Sequence, residues 1–340
     1  MRFLCFGMGA IGTYIGGSLA AAGHELVFIE RTAGIEHPLR LEFKDQLIDL
    51  PAVTTINSVE KAMTGSPFDA AILAVKSFDT GAVLAEIEPY RHLFPPILCL
   101  QNGVENEAAV EEMLGSEKVI GGSVTSAIRR LGVGNAVVEK SRGVGIEEAT
   151  DLSRELIRIF NQAGIYTRGY KNRASLKWSK MLTNLQANAL PAILNWTPYR
   201  VLSTPATYAI ECAAMCEAVT VMKQMDIRQV NLPGTPVKPW VNAMTRWPLR
   251  TSRPLIARLL GSGRGGKMPS LHIDLYAGKK QTEVVFLNGA VVRAAERLGL
   301  AAPVNQVLTQ LLTGMVRGEI SFEHFNDHPE RIQQVMMEQI

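Results

Sequence analysis

Gly7-Met8-Gly9-Ala10-Ile11-Gly12 follows the apolar run RFLCF (residues 2–6) directly and opens a stretch dense in small residues, Gly16, Gly17, Ser18, Ala20, Ala21 and Ala22. Few arrangements need three glycines at this spacing between a strand-like run and a helical one. In a dinucleotide site the first glycine permits the tight turn and the second lets a pyrophosphate approach the backbone. The third lets helix and strand pack closely, with the helix N-terminus facing the phosphates. The context agrees, because ELVFI (residues 25–29) reads as a second strand and ends at Glu30-Arg31, 18 residues after Gly12. Gly7, Gly9, Ala10, Ile11 and Gly12 are therefore the expected cofactor-binding residues. The alternative is a glycine-rich turn without a ligand.

Glu30 and Arg31 point in opposite directions on cofactor choice. An acid at the strand end suits the ribose 2′-hydroxyl of NAD, whereas an arginine pairs with the 2′-phosphate of NADP. A carboxylate ~4 Å from that phosphate would cost about 4 kcal/mol at an effective dielectric near 20. An arginine fork returns roughly 1.5–3 kcal/mol per charged hydrogen bond. NADP is expected to win only where Glu30 points away.

The rhythm continues through AAILAV (70–75), a helical pattern at 79–88, ILCL (97–100) and a helical pattern at 104–114. Short apolar strands alternating with helices predict a parallel, doubly wound sheet. Residues 119–147 read as several short strands broken by Gly132, Gly134, Gly143 and Gly145, an edge or closing section of the sheet. Beyond about residue 170 the strand signals fade, and helices are expected at 172–190, 205–226, 283–298 and 304–318. The expected domains are thus 1–170, an α/β Rossmann-type unit, and 171–340, an all-α unit.

A chain of 340 residues is long enough for two cores. Its longest apolar runs, such as residues 69–75, are far below the roughly 18–20 residues that span a bilayer. The first residues lack a secretory h-region, so a cytoplasmic protein with no membrane partner is expected. Cys5, Cys99, Cys212 and Cys216 lie in apolar stretches and read as buried, reduced thiols. The histidines show no metal-ligand spacing, and no metal is expected.

In ASLKWSKMLTNLQANAL (174–190), a step of about 100° per residue puts Lys180, Asn184 and Asn188 within about 80° of arc. Trp178, Met181, Leu182, Leu185 and Ala189 form the opposite, apolar side. The polar stripe is either a solvated surface or a substrate-facing row. Asparagine is a mediocre helix former that an exposed face has little reason to favour twice. Reduction of a ketone by hydride needs a proton donor within ~3 Å of the developing alkoxide. Lys180 meets that need, and partial burial would lower its pKa from about 10.4 and sharpen it as an acid. Lys177 shares the stripe and competes for the role.

With these residues in view, the sequence resembles the ketopantoate reductase (2-dehydropantoate 2-reductase) family of NADPH-dependent oxidoreductases. The resemblance runs through Gly7-x-Gly9-x-x-Gly12, AVKSFDT with Lys76, LQNGVENE with Asn102, WSKMLTNLQAN with Lys180, and PSLHIDL followed by TEVVFLNGAVV. It implies a helical second domain like that of 6-phosphogluconate dehydrogenase. It also implies Lys180 as general acid, Asn184 and Asn188 as amides for substrate oxygens, and Ser270 as holder of the substrate carboxylate. Glu283 would engage the substrate hydroxyl and the lysine. Asn102 would orient cofactor and substrate, Lys76 would lie near the cofactor, and Arg31 would bind the 2′-phosphate. Read on spacing alone, Ser270 is an N-cap, Glu283 begins a helix and Asn102-Gly103 is a turn. Glu30 departs from the small apolar residue common in the family, which leaves NAD(H) open beside NADP(H). The implied reaction converts a small anionic 2-oxo acid, ketopantoate by default, to its 2-hydroxy acid in pantothenate biosynthesis. The rival readings are a different 2-oxo or β-hydroxy acid, and a non-catalytic cofactor-binding sensor.

The chain carries 35 Lys+Arg against 32 Asp+Glu, a net +3, yet residues 227–273 hold eight Lys/Arg and no Asp/Glu, with six of the 17 prolines. This basic, proline-rich insertion, about 227–268, is expected to be irregular because Pro248 and Pro254 break any long helix. It reads as a lid over an anionic substrate, a solvated extension or a subunit contact. No nucleic-acid motif accompanies the charge, so no nucleic-acid partner is expected. A homodimer through the helical domain is an expectation too.

Overall fold

The computed structural model describes residues 1–30, 36–261 and 267–339. These fall into two compact units, Met1–Lys177 with Leu232–Thr235, and Trp178–Asn231 with Pro236–Ile340.

The first unit is built on β1 (Arg2–Phe6), β2 (Glu25–Ile29), β3 (Glu36–Glu42), β4 (Leu47–Ile56), β5 (Ala70–Leu73), β6 (Ile97–Cys99), β7 (Val119–Val124), β8 (Ala127–Gly132), β9 (Asn135–Lys140), β10 (Val144–Glu147) and β11 (Thr167–Tyr170). Its helices are α1 (Ala10–Ala21), α2 (Val59–Met63), α3 (Thr80–Ile87), α4 (Asn106–Leu114) and α5 (Asp151–Gln162). The strand order is β11-β10-β7-β6-β5-β1-β2-β4-β3-β9-β8. From β7 to β4 all neighbours run parallel. Chain order reverses beside β1, the switch point at which open α/β sheets bind ligands.

Central strands buried on both faces need near-continuous apolar sequence. In β1 the side chains alternate accordingly, Phe3 and Cys5 joining one core cluster and Leu4 and Phe6 the other. Gly16 lets α1 lie close on the sheet, since a Cβ there would sit 2.4 Å from the Phe28 ring. The glycine-broken stretch 119–147 forms β7 to β10 as expected. The hairpin β3–β4 was not read from the sequence.

The second unit is helical. It comprises most of α6 (Arg173–Leu185), then α7 (Ala189–Leu194), α8 (Pro198–Ser203), α9 (Pro205–Gln224), α10 (Val237–Arg246), α11 (Leu249–Ile256), α12 (Ser270–Tyr276), α13 (Asn288–Arg297), α14 (Pro303–Arg317), α15 (Phe322–Phe325) and α16 (Pro329–Gln339). Three expectations are corrected here. The helix expected over 172–190 stops at Leu185, and Ala187 has φ +46°. Pro191 explains the break, because in a continuous helix its ring would strike the carbonyl of residue 187. Asn188 therefore leaves the Lys180 face and becomes the N-cap of α7.

From Val237 to Gly261 the basic stretch is not irregular but folds as α10, α11 and a π-helical turn, Ala257–Gly261, while residues 262–266 lie outside the described residues. Pro248 stands at the N-cap of α11, and Pro254 lies inside the helix. Ser252 anchors α11 by accepting the Tyr208 hydroxyl proton at 2.9 Å. Ser270 is not an N-cap: Pro269 holds that position, and Ser270 is the exposed first residue of α12. Glu283 opens a 3₁₀ turn, Glu283–Phe286, that precedes α13. Among the described residues no helix is long and apolar enough to cross a membrane.

Candidate active site

In the first unit the sequence-predicted residues collect at the carboxyl ends of the adjacent strands β6, β5, β1 and β2. The loop after β1 begins at Gly7, whose φ of +93° an L side chain would resist. Its N–H donates to the Ile29 carbonyl at 3.1 Å, tying the turn to β2. A Cβ on Gly12 would lie 1.9 Å from the Gly7 carbonyl oxygen, so this position admits only glycine. A Cβ on Gly9 would meet nothing within 4 Å. Gly9 is the N-cap of α1 and supplies no side-chain cap, so Ala10 and Ile11 begin the helix beside open space. A backbone cradle with a bare helix N-terminus fits a pyrophosphate, and these residues fit a dinucleotide. Glu30 turns toward this loop, its Oε2 accepting the Met8 N–H at 3.4 Å. Arg31 lies outside the described residues.

Lys76 and Asn102 follow β5 and β6, and a buried polar network joins their loops. The Asn102 carbonyl accepts from Ser77 Oγ at 2.8 Å and from Asn106 Nδ2 at 2.6 Å. Thr80 Oγ1 donates to Asn106 Oδ1 at 3.0 Å and accepts from Gln101 Nε2 at 2.8 Å. Gln101 Nε2 also lies 3.4 Å from the Lys76 carbonyl. Sequence reasoning missed Ser77, Thr80, Gln101 and Asn106, although all four lie in the segments AVKSFDT and LQNGVENE that carried the resemblance.

Lys177 is 3% exposed. Its Nζ donates to the carbonyls of Gln101 at 2.8 Å and Gly122 at 3.2 Å, and lies 2.7 Å from Glu107 Oε1. Two of its ammonium protons are hydrogen-bonded to carbonyls, and its charge is paired with Glu107. Buried and ion-paired, Lys177 has the surroundings of a structural cation.

In the helical unit Lys180 and Asn184 are half-buried on α6. Asn188 is buried, and its amide is used as a brace. Nδ2 donates to the Asn184 carbonyl at 2.9 Å, and Oδ1 accepts the Leu271 N–H at 3.3 Å. Asn188 thus caps α12 from another helix and sets the residue next to Ser270. Glu283 is 2% exposed at the start of its turn, which Thr282 caps by accepting the Val284 N–H at 3.2 Å. The cysteines are unpaired, and burial pushes the thiols of Cys5 and Cys212 up to about 12, so neither is a thiolate nucleophile.

Residues 3–150 match the family described as Ketopantoate reductase PanE/ApbA, and residues 172–316 match its C-terminal counterpart. A 2-dehydropantoate 2-reductase of Pyrococcus horikoshii is 26% identical over 323 residues, covering 92% of this chain and 96% of the relative. One from Aquifex aeolicus is 26% identical over 327 residues, covering 92% and 96%. Among solved structures, a PanE/ApbA family ketopantoate reductase from Ralstonia eutropha superposes with a TM-score of 0.78 at 26% identity, covering 94% of this chain and 99% of that one. A D-mandelate dehydrogenase with NADH and anilino(oxo)acetate gives a TM-score of 0.75 at 19% identity, a likeness of fold, covering 94% and 99%.

Proposed function

The chain belongs to the ketopantoate reductase PanE/ApbA family, and on that premise we propose that it reduces a small 2-oxo acid to the 2-hydroxy acid with a nicotinamide cofactor. The default pair is 2-dehydropantoate and pantoate. The backbone cradle at Gly7–Gly12 is the observation that carries the reading.

When bound, the nicotinamide supplies hydride to the substrate's carbonyl carbon. Lys180 donates a proton from Nζ to the carbonyl oxygen; the burial of Lys177 and its pairing with Glu107 support Lys180 over Lys177 in that role. Asn184 hydrogen-bonds substrate oxygens, and Ser270 holds the carboxylate. Glu283 engages the substrate hydroxyl and Lys180. Asn102, its carbonyl held by Ser77 and Asn106, orients cofactor and substrate, and Lys76 attends the cofactor. Asn188 acts as a positioning residue, because both ends of its amide are occupied.

On cofactor choice, Glu30 turned toward the glycine loop supports NADH, since a 2′-phosphate there would meet like charge. Arg31 supports NADPH and is the reason to test both. A second substrate reading is an aromatic 2-oxo acid, supported by the likeness to the NADH-bound D-mandelate dehydrogenase.

Oxidation of NADH and NADPH, each followed with 2-dehydropantoate, phenylglyoxylate and a series of aliphatic 2-oxo acids, tests the reading. Turnover with one of these 2-oxo acids is expected. Stoichiometric cofactor binding without turnover of any of them would leave a sensor in its place.

A further inference from the structure

Between Arg246 and Leu259 positive charge and apolar surface coincide. Residues 246–251 are exposed without interruption, as are Pro254, Leu255, Arg258 and Leu259. Trp247 is 50% exposed and Leu259 57%. Four arginines alternate with these side chains, and no Asp or Glu occurs between Asp226 and Asp274. Arg253 and Arg258, with Tyr199 and Ser203 of α8, line an open hollow of about 690 Å³. The proposed reduction uses none of these residues.

We propose that this face docks on the surface of a bilayer containing anionic phospholipid. Trp247, Leu249, Leu255 and Leu259 would enter the headgroup layer, and a lipid phosphate would occupy the hollow beside Arg253 and Arg258. Three observations favour that occupant.

The first is the order R-W-P-L-R, R-P-L, R-L along the segment, which leaves no purely apolar centre. Protein interfaces gather apolar groups centrally and exclude charge there. A membrane interface accepts apolar tips and snorkelling arginines side by side along one plane. The second is electrostatic: a second copy meeting this face symmetrically would set arginine against arginine, with no acid in the segment to relieve them. Third, the segment is mounted firmly. Val237, Trp240 and Met244 of α10 and Ser252 and Ile256 of α11 are buried beneath it, so the exposed side chains are displayed on folded helices. The lack of a spanning helix bears on crossing a bilayer, not on touching one.

The protein carries its own probe. Of its four tryptophans, Trp178, Trp196 and Trp240 are buried and Trp247 is exposed. The full chain is mixed with vesicles of phosphatidylcholine, or of phosphatidylcholine with phosphatidylserine, and followed by co-sedimentation and tryptophan emission. Partition at least about tenfold stronger to the anionic vesicles is expected, with a blue shift and with loss of binding as salt is raised. Trp247→Phe should abolish the shift but keep co-sedimentation. Leu255→Gln with Leu259→Gln should lose both while the far-UV circular dichroism is unchanged. Equal partition to the two vesicles, or none to the anionic ones, overturns the proposal. A blue shift with polyglutamate but not with vesicles overturns it in favour of an acidic polypeptide. Concentration-dependent self-association that produces the shift without lipid overturns it in favour of a second copy. The readout is binding, so it stands apart from any failure of the reductase assay.

Discussion

Replacing Lys177 by Met tests how the first unit is held together around the Asn102 loop. The substitution keeps the length of the stem and removes the charge. It strands two backbone carbonyls, of Gln101 and Gly122, and the carboxylate of Glu107, whose side chain is 6% exposed. At 2.7 Å and an effective dielectric near 20, the lost attraction is about 6 kcal/mol. Part of it is offset because the desolvated ammonium is also gone. Breaking one side of a buried pair costs about 3–5 kcal/mol in practice. The neighbouring cation, Arg173, is already shared between Glu111 at 2.5 Å and Glu147 at 3.4 Å. A loss of 3–5 kcal/mol corresponds to a fall in Tm of roughly 6–20 °C for a unit of this size. Urea denaturation followed by far-UV circular dichroism measures it. The double variant Lys177→Met, Glu107→Leu should recover more than half of the loss, since no unpaired carboxylate remains. A single variant within about 1 kcal/mol of wild type, or a double variant worse than the sum of the singles, would refute the reasoning.

Gly9→Ala and Gly12→Ala should separate cofactor space from packing space. The first meets open space and should cost less than about 1 kcal/mol of stability while raising the KM for cofactor, whereas the second should destabilise the folded loop itself; thermal melts and cofactor titrations distinguish them. Glu30→Ser should raise the kcat/KM ratio of NADPH to NADH by about tenfold or more, read from initial rates, because the like charge facing a 2′-phosphate is removed; an unchanged ratio would show that Glu30 does not set the preference. Burial, then the N-terminal ammonium 3.2 Å away and Arg158, lower the pKa of His24 below its usual 6.5, with Glu155 opposing. A depressed folded-state value means the stability tied to the neutral ring is present above pH 6.5 and is lost as pH falls through the folded pKa. An NMR titration midpoint of His24 at or above 6.5 would contradict it.

The opening β1-loop-α1-β2 unit was legible because its signal is local: glycine spacing, strand period and helix start lie within thirty residues. The hairpin β3–β4 was harder to see, because Leu39 and Leu41 are buried between charged neighbours and Pro38 interrupts a strand that bulges between His37 and Leu39. Pro191 carried the information that α6 must end, but its effect falls four residues upstream, on Ala187. In the basic stretch Pro248 and Pro254 argue against any long helix. Pro248 instead occupies a helix start, and Ile256 supplies the buried contact that a proline count does not reveal. The loop network of Ser77, Thr80, Gln101 and Asn106 depends on side chains brought together from the segments after two separate strands, β5 and β6, and no periodicity announces it. The same is true of Lys177, which shares a helical face with Lys180 yet ends on carbonyls of the loop after β6 and of β7.

The most direct test of the catalytic account is the turnover of Lys180→Ala on the best 2-oxo acid found. Loss of a positioned general acid should lower kcat by about 10²–10⁴-fold, with the affinity for cofactor, measured by fluorescence titration, left near wild type. Wild-type turnover by Lys180→Ala would contradict the assignment of the proton donor and, with it, the proposed reduction mechanism.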